Sequence, residues 1–172
     1  MLLAVAATGE WGREQLRYER AGLAQFQWWR LISAHLVHLG WQHTLLNCAG
    51  LALLWALFAR EFSPWRWLCI TLAGAAAIDA GLWFLRPEVD WYLGASGVLH
   101  ALWGAGAFGA YRRGDGMGAT LLLLLIVKLV YEQQSGASLL EHDLPLVPAA
   151  HLFGALGGLI AAVVPRALAK SL

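Results

Sequence analysis

Charged residues are scarce in this chain. They make up 13% of its 172 residues while apolar ones make up 59%, against about 25% and about 45–50% in soluble domains. That excludes a water-soluble globule and implies a polytopic membrane protein, in line with a mean hydropathy of +0.57. There is no basic run, and the net charge of +1 argues for neither nucleic acid nor an acidic partner. No Gly/Ser-rich linker and no internal repeat divides the chain, so residues 1–172 read as one integral-membrane domain. The two cysteines, Cys48 and Cys69, both fall in apolar runs, which excludes a disulfide framework and leaves them as packing residues. No HExxH motif points to an intramembrane metalloprotease.

What is present is a series of apolar runs. A spanning helix needs about 20 apolar residues, or fewer where neighbours bury its ends. Runs at 42–59, 65–85, 96–111, 116–131 and 148–164 qualify. Residues 1–7 resemble the tail of a further span, too short to cross a bilayer and without the charged start of a signal peptide. The expected fold is all-α: a polytopic membrane bundle of about six transmembrane helices, the first short or truncated. Ser63-Pro64, Arg86-Pro87, Arg113-Gly114-Asp115-Gly116 and the stretch 145–148 punctuate the runs. Arg112-Arg113 and a tail with Arg166 and Lys170 favour their end as cytoplasmic. The opposite end then faces outward, where Trp28, Trp29, Trp41 and Trp91 are expected to form an interfacial belt.

Serine and histidine in apolar helices call for a use. Gly94-Ala95-Ser96-Gly97 places Ser96 at the start of a long run, with Gly94 and Gly97 permitting a tight turn and close backbone approach. From Ser96 onward the run 96–111 measures about 24 Å at about 1.5 Å per residue, short of the roughly 30 Å hydrocarbon thickness, so Ser96 is expected below the outer surface. The free N–H groups of a helix start suit a developing oxyanion. A serine needs a base, and neutral histidine serves without a resident charge. His151 opens the last run, with Gly154 and Gly158 following on one face. Packing Gly104 against that face brings the two helix starts together. His43 and Asn47, one turn apart, can both donate to an oxyanion, and His38 just upstream reads as ordering the outer loop.

These residues resemble the rhomboid intramembrane serine proteases over about 29–158. The likeness rests on Trp29-Arg30, on His38, His43 and Asn47 at H-x4-H-x3-N spacing, on Gly94-Ala95-Ser96-Gly97 as GxSG, and on Ala150-His151 followed by Gly154 as AHxxG. The resemblance implies Ser96 as nucleophile and His151 as general base, with His43, Asn47 and the Ser96 backbone N–H as oxyanion hole. It implies no metal and no cofactor. Where the family usually has a tyrosine against the catalytic histidine, this chain has His100, read as stacking or structural support alongside Gly94, Gly97, Gly154 and His38. The small size, Ser96-Gly97-Val98-Leu99-His100 and Lys128-Leu129-Val130-Tyr131-Glu132-Gln133 make the chain most like the rhombosortase branch. That branch implies a bacterial inner-membrane enzyme opening to the extracytoplasmic side. Its substrates would be membrane-anchored proteins with a C-terminal Gly-Gly motif, transmembrane helix and basic tail, and its other partner the lipid bilayer.

Other polar residues have plainer readings. Lys128 could activate Ser96 directly, but pairing with Glu132 one turn on is the cheaper account. Asp79 could orient His151 as a third member, although a bond to another helix is the expectation. A metal held by His43 with His35, His38 or His142 lacks a convincing ligand set. Arg30 is read as holding the first loop through backbone carbonyls or as facing lipid. The run 116–131 with the segment 133–138 after it is expected to act as a lateral gate. Two rival readings are a rhomboid-like protein that binds and escorts transmembrane helices without cleaving them, and a small transporter with a polar path through Asp79, Lys128 and Glu132.

Overall fold

Local signals set the helix limits in the computed structural model, which describes residues 1–136 and 147–163. Ser63 caps α6 (Pro64–Leu85) by accepting from the Arg66 N–H, with Pro64 in the first turn. Asp115 does the same for α8 (Gly116–Ser135) through the Met117 N–H, and Gly136 closes that helix in the left-handed conformation at φ 69°. Helix α8 therefore runs about a turn past the apolar stretch, and 133–135, expected in a loop, are helical. Glu132 and Gln133 are good helix formers, and nothing stops the chain before Gly136. Of the features expected beyond it, residues 137–138, His142, Pro145, Arg166 and Lys170 lie outside the described residues.

The remaining long helices are α5 (Trp41–Phe58), α7 (Ser96–Arg112) and α9 (Pro148–Val163). Ahead of them stand α1 (Leu2–Ala6), α2 (Gly9–Leu16), β1 (Tyr18–Glu19), α3 (Arg20–Ala24) and α4 (Arg30–Ser33), all short. Where the sequence suggested the tail of a span, α1 is five residues long, packs against α5 and gives way at Gly9, φ 65°. By length and composition α6 and α8 can each cross a membrane, and α9 is a shorter apolar helix. Leu45, Leu53, Trp55, Leu123, Ile126 and Ile160 all point outward, the exposed apolar surface a bilayer covers.

Helix α7 is the axis of the bundle and touches α5, α6, α8 and α9. It can be central because its buried face is built from Gly97, Ala101, Gly104, Ala105 and Ala107, which let neighbouring backbones approach. A Cβ on Gly154 would lie 2.0 Å from the Gly97 carbonyl oxygen, and one on Gly158 would lie 2.2 Å from that of Ala101. Gly154 and Gly158 thus meet Gly97 and Ala101 rather than Gly104, which turns to Ala155 and Leu159. The small residues form the contact face that the sequence predicts, one to two turns nearer the start of α7 than Gly104.

At the end of the bundle where α7 begins, the first loop is knitted to the serine turn. β1 pairs antiparallel with β2 (Trp91–Tyr92), Tyr18 opposite Tyr92 and Glu19 opposite Trp91. Arg30 is buried rather than lipid-facing, and it donates to the carbonyls of Glu14 and Arg17, each at 2.8 Å. Arg20 donates to the Leu82 carbonyl at 2.7 Å near the end of α6. At the far end Arg113 pairs with Glu61, and Arg66 donates to the Ala162 carbonyl of α9 at 3.0 Å, a favourable place for a cation.

Candidate active site

The turn before α7 is shaped by Gly94 at φ 120°, a conformation side chains rarely adopt. Its N–H donates to the Ala34 carbonyl at 2.9 Å, and its own carbonyl accepts from the Tyr92 hydroxyl at 2.8 Å. One residue on, the Ala95 N–H donates to His38 Nε2 at 3.3 Å. His38 is thus placed on the serine turn itself. Burial holds its imidazole below the ordinary value of 6.5, which keeps Nε2 free to accept. As pH falls, the unfolded ring charges first, so stability present at neutral pH is lost progressively from about pH 6.5 downward. His38→Leu stays close in volume and removes the acceptor. It should cost about 1–3 kcal/mol and abolish that part of the acid sensitivity, both read from melting temperature between pH 7 and pH 5.

Ser96 Oγ lies 2.9 Å from His151 Nε2. On its other side His151 Nδ1 lies 2.8 Å from Glu132 Oε2, a carboxylate that is fully buried and also paired with Lys128. A carboxylate only accepts, so Nδ1 carries the hydrogen and Nε2 presents a lone pair to the serine hydroxyl. The His100 ring stacks on that of His151 with centroids 4.1 Å apart and planes 14° from parallel. Its Nδ1 donates to the Ser96 carbonyl at 2.7 Å. Among the described residues His100, Glu132 and His151 bring ligand-type atoms within 4.8 Å of one another. The two Nδ1 atoms are already engaged, that of His100 with the Ser96 carbonyl and that of His151 with Glu132, and in rings 14° from parallel the in-plane lone pairs run side by side rather than converging as an ion requires.

His43 and Asn47 project from the first turns of α5. The His43 ring lies against Gly94, where a Cβ would come within 3.0 Å of it, and edge-on to His38 at 5.0 Å between centroids. Asn47 donates one amide N–H to the His43 carbonyl at 2.9 Å, and the second is available to an oxyanion. Ser96, His151, Asn47, His100 and Lys128 line a cavity of about 240 Å³, walled otherwise by Leu46, Gly50, Leu53, Leu54, Leu99 and Trp103. Asp79 does not join them, and its carboxylate lies 3.3 Å from His35 Nε2. The contact sequence reasoning missed is Glu132 to His151. Its signal was a carboxylate in an apolar run, and Lys128 one turn away absorbed it.

Residues 25–167 match the rhomboid domain family. The chain is also similar to the Bacillus subtilis (strain 168) protein named "Putative rhomboid protease YdcA", at 27% identity over 139 residues, covering 81% of this chain and 68% of that protein. The helical bundle, the apolar surface and a match spanning most of the length agree, and this integral membrane protein belongs to the rhomboid family.

Proposed function

We propose that the chain is an intramembrane serine protease in which Ser96 is the nucleophile and His151 the general base. The single observation that carries this reading is the 2.9 Å contact between Ser96 Oγ and His151 Nε2, at the wall of a cavity inside an apolar bundle. His151 takes the hydroxyl proton as Ser96 attacks a carbonyl carbon, then gives it to the leaving amine. Asn47, His43 and the first N–H groups of α7 stabilise the oxyanion, and water releases the acyl-enzyme.

A substrate helix reaches the cavity from the lipid between α5 and α8, which supply Leu46, Leu53 and Lys128 to its walls. About 240 Å³ is less than the roughly 300 Å³ of even small ligand pockets, which supports cleavage beside small residues. Taken with the rhombosortase resemblance, the favoured substrates are membrane-anchored exported proteins ending in a Gly-Gly motif, an apolar helix and a basic tail. The enzyme would then lie in a bacterial inner membrane with its site opening to the extracytoplasmic side.

The test is a reporter carrying such a tail, co-expressed with wild type or Ser96→Ala, alongside labelling of the purified proteins by a fluorescent fluorophosphonate. Cleavage and labelling by wild type alone are expected. A folded wild type that is neither labelled nor able to cleave would point instead to a protein that binds helices without cutting them.

A further inference from the structure

The geometry points to Glu132 as a positioning residue for His151, converting the expected serine–histidine pair into a three-member array. The inference rests on the serine-protease reading above and deepens it. Glu132 is fully buried and belongs to α8, whereas Ser96 and His151 belong to α7 and α9. One carboxylate oxygen, Oε2, accepts from His151 Nδ1 at 2.8 Å, and the other, Oε1, pairs with Lys128. Three helices therefore meet through one line of atoms: Lys128 Nζ, Glu132, the His151 ring, Ser96 Oγ.

Helix stability does not account for this arrangement. In a helix the favourable order sets the acid four residues before the base, and here Lys128 precedes Glu132. A buried ion pair is commonly no more stabilising than an apolar pair of similar volume, and apolar residues would suit this interior. What the carboxylate does that Leu or Met cannot is accept a hydrogen bond at Nδ1. That bond fixes the tautomer with the Nε2 lone pair on the serine side and sets the ring's rotation about its stem. Lys128 balances the charge and holds the carboxylate from its other oxygen.

In the reaction the Ser96 proton moves to Nε2 as the new C–O bond forms and the carbonyl π pair moves to oxygen. The proton then passes from Nε2 to the leaving nitrogen as the C–N bond breaks. Glu132 exchanges no proton in either step, and its charge faces the imidazolium while that species lasts. His100, stacked on the same ring, covers its face, while Glu132 fixes its edge.

The test uses the full chain in detergent. Lys128→Met/Glu132→Leu removes the ion pair without stranding either charge, so a merely structural pair is replaced at little cost. The expected result is a melting temperature close to wild type, with fluorophosphonate labelling and kcat lowered about 10²- to 10⁴-fold. A folded double variant that is labelled at the wild-type rate overturns the positioning role. Nitrogen-15 spectra of wild type, with His151 assigned by difference from His151→Ala, give a readout independent of the variant's folding. The Nδ1–H tautomer is expected, and the Nε2–H tautomer overturns the inference. Wild-type protein that folds but is not labelled overturns the serine-protease reading first and this role with it, so the two failures are distinguishable.

Discussion

His151→Ala should lower fluorophosphonate labelling of Ser96 about 10⁴- to 10⁶-fold, the range seen when the base of a serine hydrolase is removed. The size of the effect follows from where the site lies. Ser96 faces a small cavity bounded by leucines and a tryptophan. The base placed for its hydroxyl proton is His151 Nε2 at 2.9 Å. The other basic side chains on that wall are engaged elsewhere, Lys128 with Glu132 and His100 Nδ1 with the Ser96 carbonyl. The loss should appear in kcat, with KM for a reporter peptide nearly unchanged, because His151 acts on the proton in flight rather than on the bound helix. Residual labelling within tenfold of wild type would mean that another group takes the proton.

Gly154→Ala should also slow the enzyme, although it adds a single methyl group to a residue with no part in the chemistry. The new Cβ would stand 2.0 Å from the Gly97 carbonyl oxygen and 2.8 Å from its carbon, and backbone cannot rotate aside as a side chain can. Helices α7 and α9 must move apart, at about 1–3 kcal/mol for an overpacked contact. They carry Ser96 and His151 with them, and a misplacement of about 1 Å can cost about 10²-fold in rate. A lower melting temperature together with about 10²-fold slower labelling is expected. Gly114→Ala is the control: it has positive φ but nothing within 4 Å of its Cβ, so it should strain only its own turn. Labelling of Gly154→Ala at the wild-type rate would show that the helices tolerate the separation.

Much of this was legible in the residues because membrane helices announce themselves. Long apolar runs closed by Ser63-Pro64 and Asp115 gave the helix starts to within a residue. Ser96 and His151 were visible as polar groups at helix starts, where an apolar setting leaves few other uses for them. Glu132 was not legible as a neighbour of His151. Spacing along one helix reveals only that helix's own partners, and Lys128 supplied one that satisfied the reading. Gly104 illustrates a different limit. Small residues at intervals of three, four and seven allow several registers between two helices, and only packing against Ile78 and Ala101 selects the one that puts Gly97 on Gly154. The two-residue ladder between β1 and β2 is too short to leave any alternation to detect.

That ladder also bears on where the working unit begins. The family match starts at residue 25, yet Tyr18 is wholly buried in the core beside Ile78 and Val98, and Glu19 holds register opposite Trp91. Arg20 is tied by its backbone to Asp90 and by its side chain to the end of α6. A boundary drawn by family likeness thus runs through the middle of one mechanical frame. Residues on its near side brace the strand that leads into Gly94, and the serine inherits its position from a part of the chain that the shared motifs do not include.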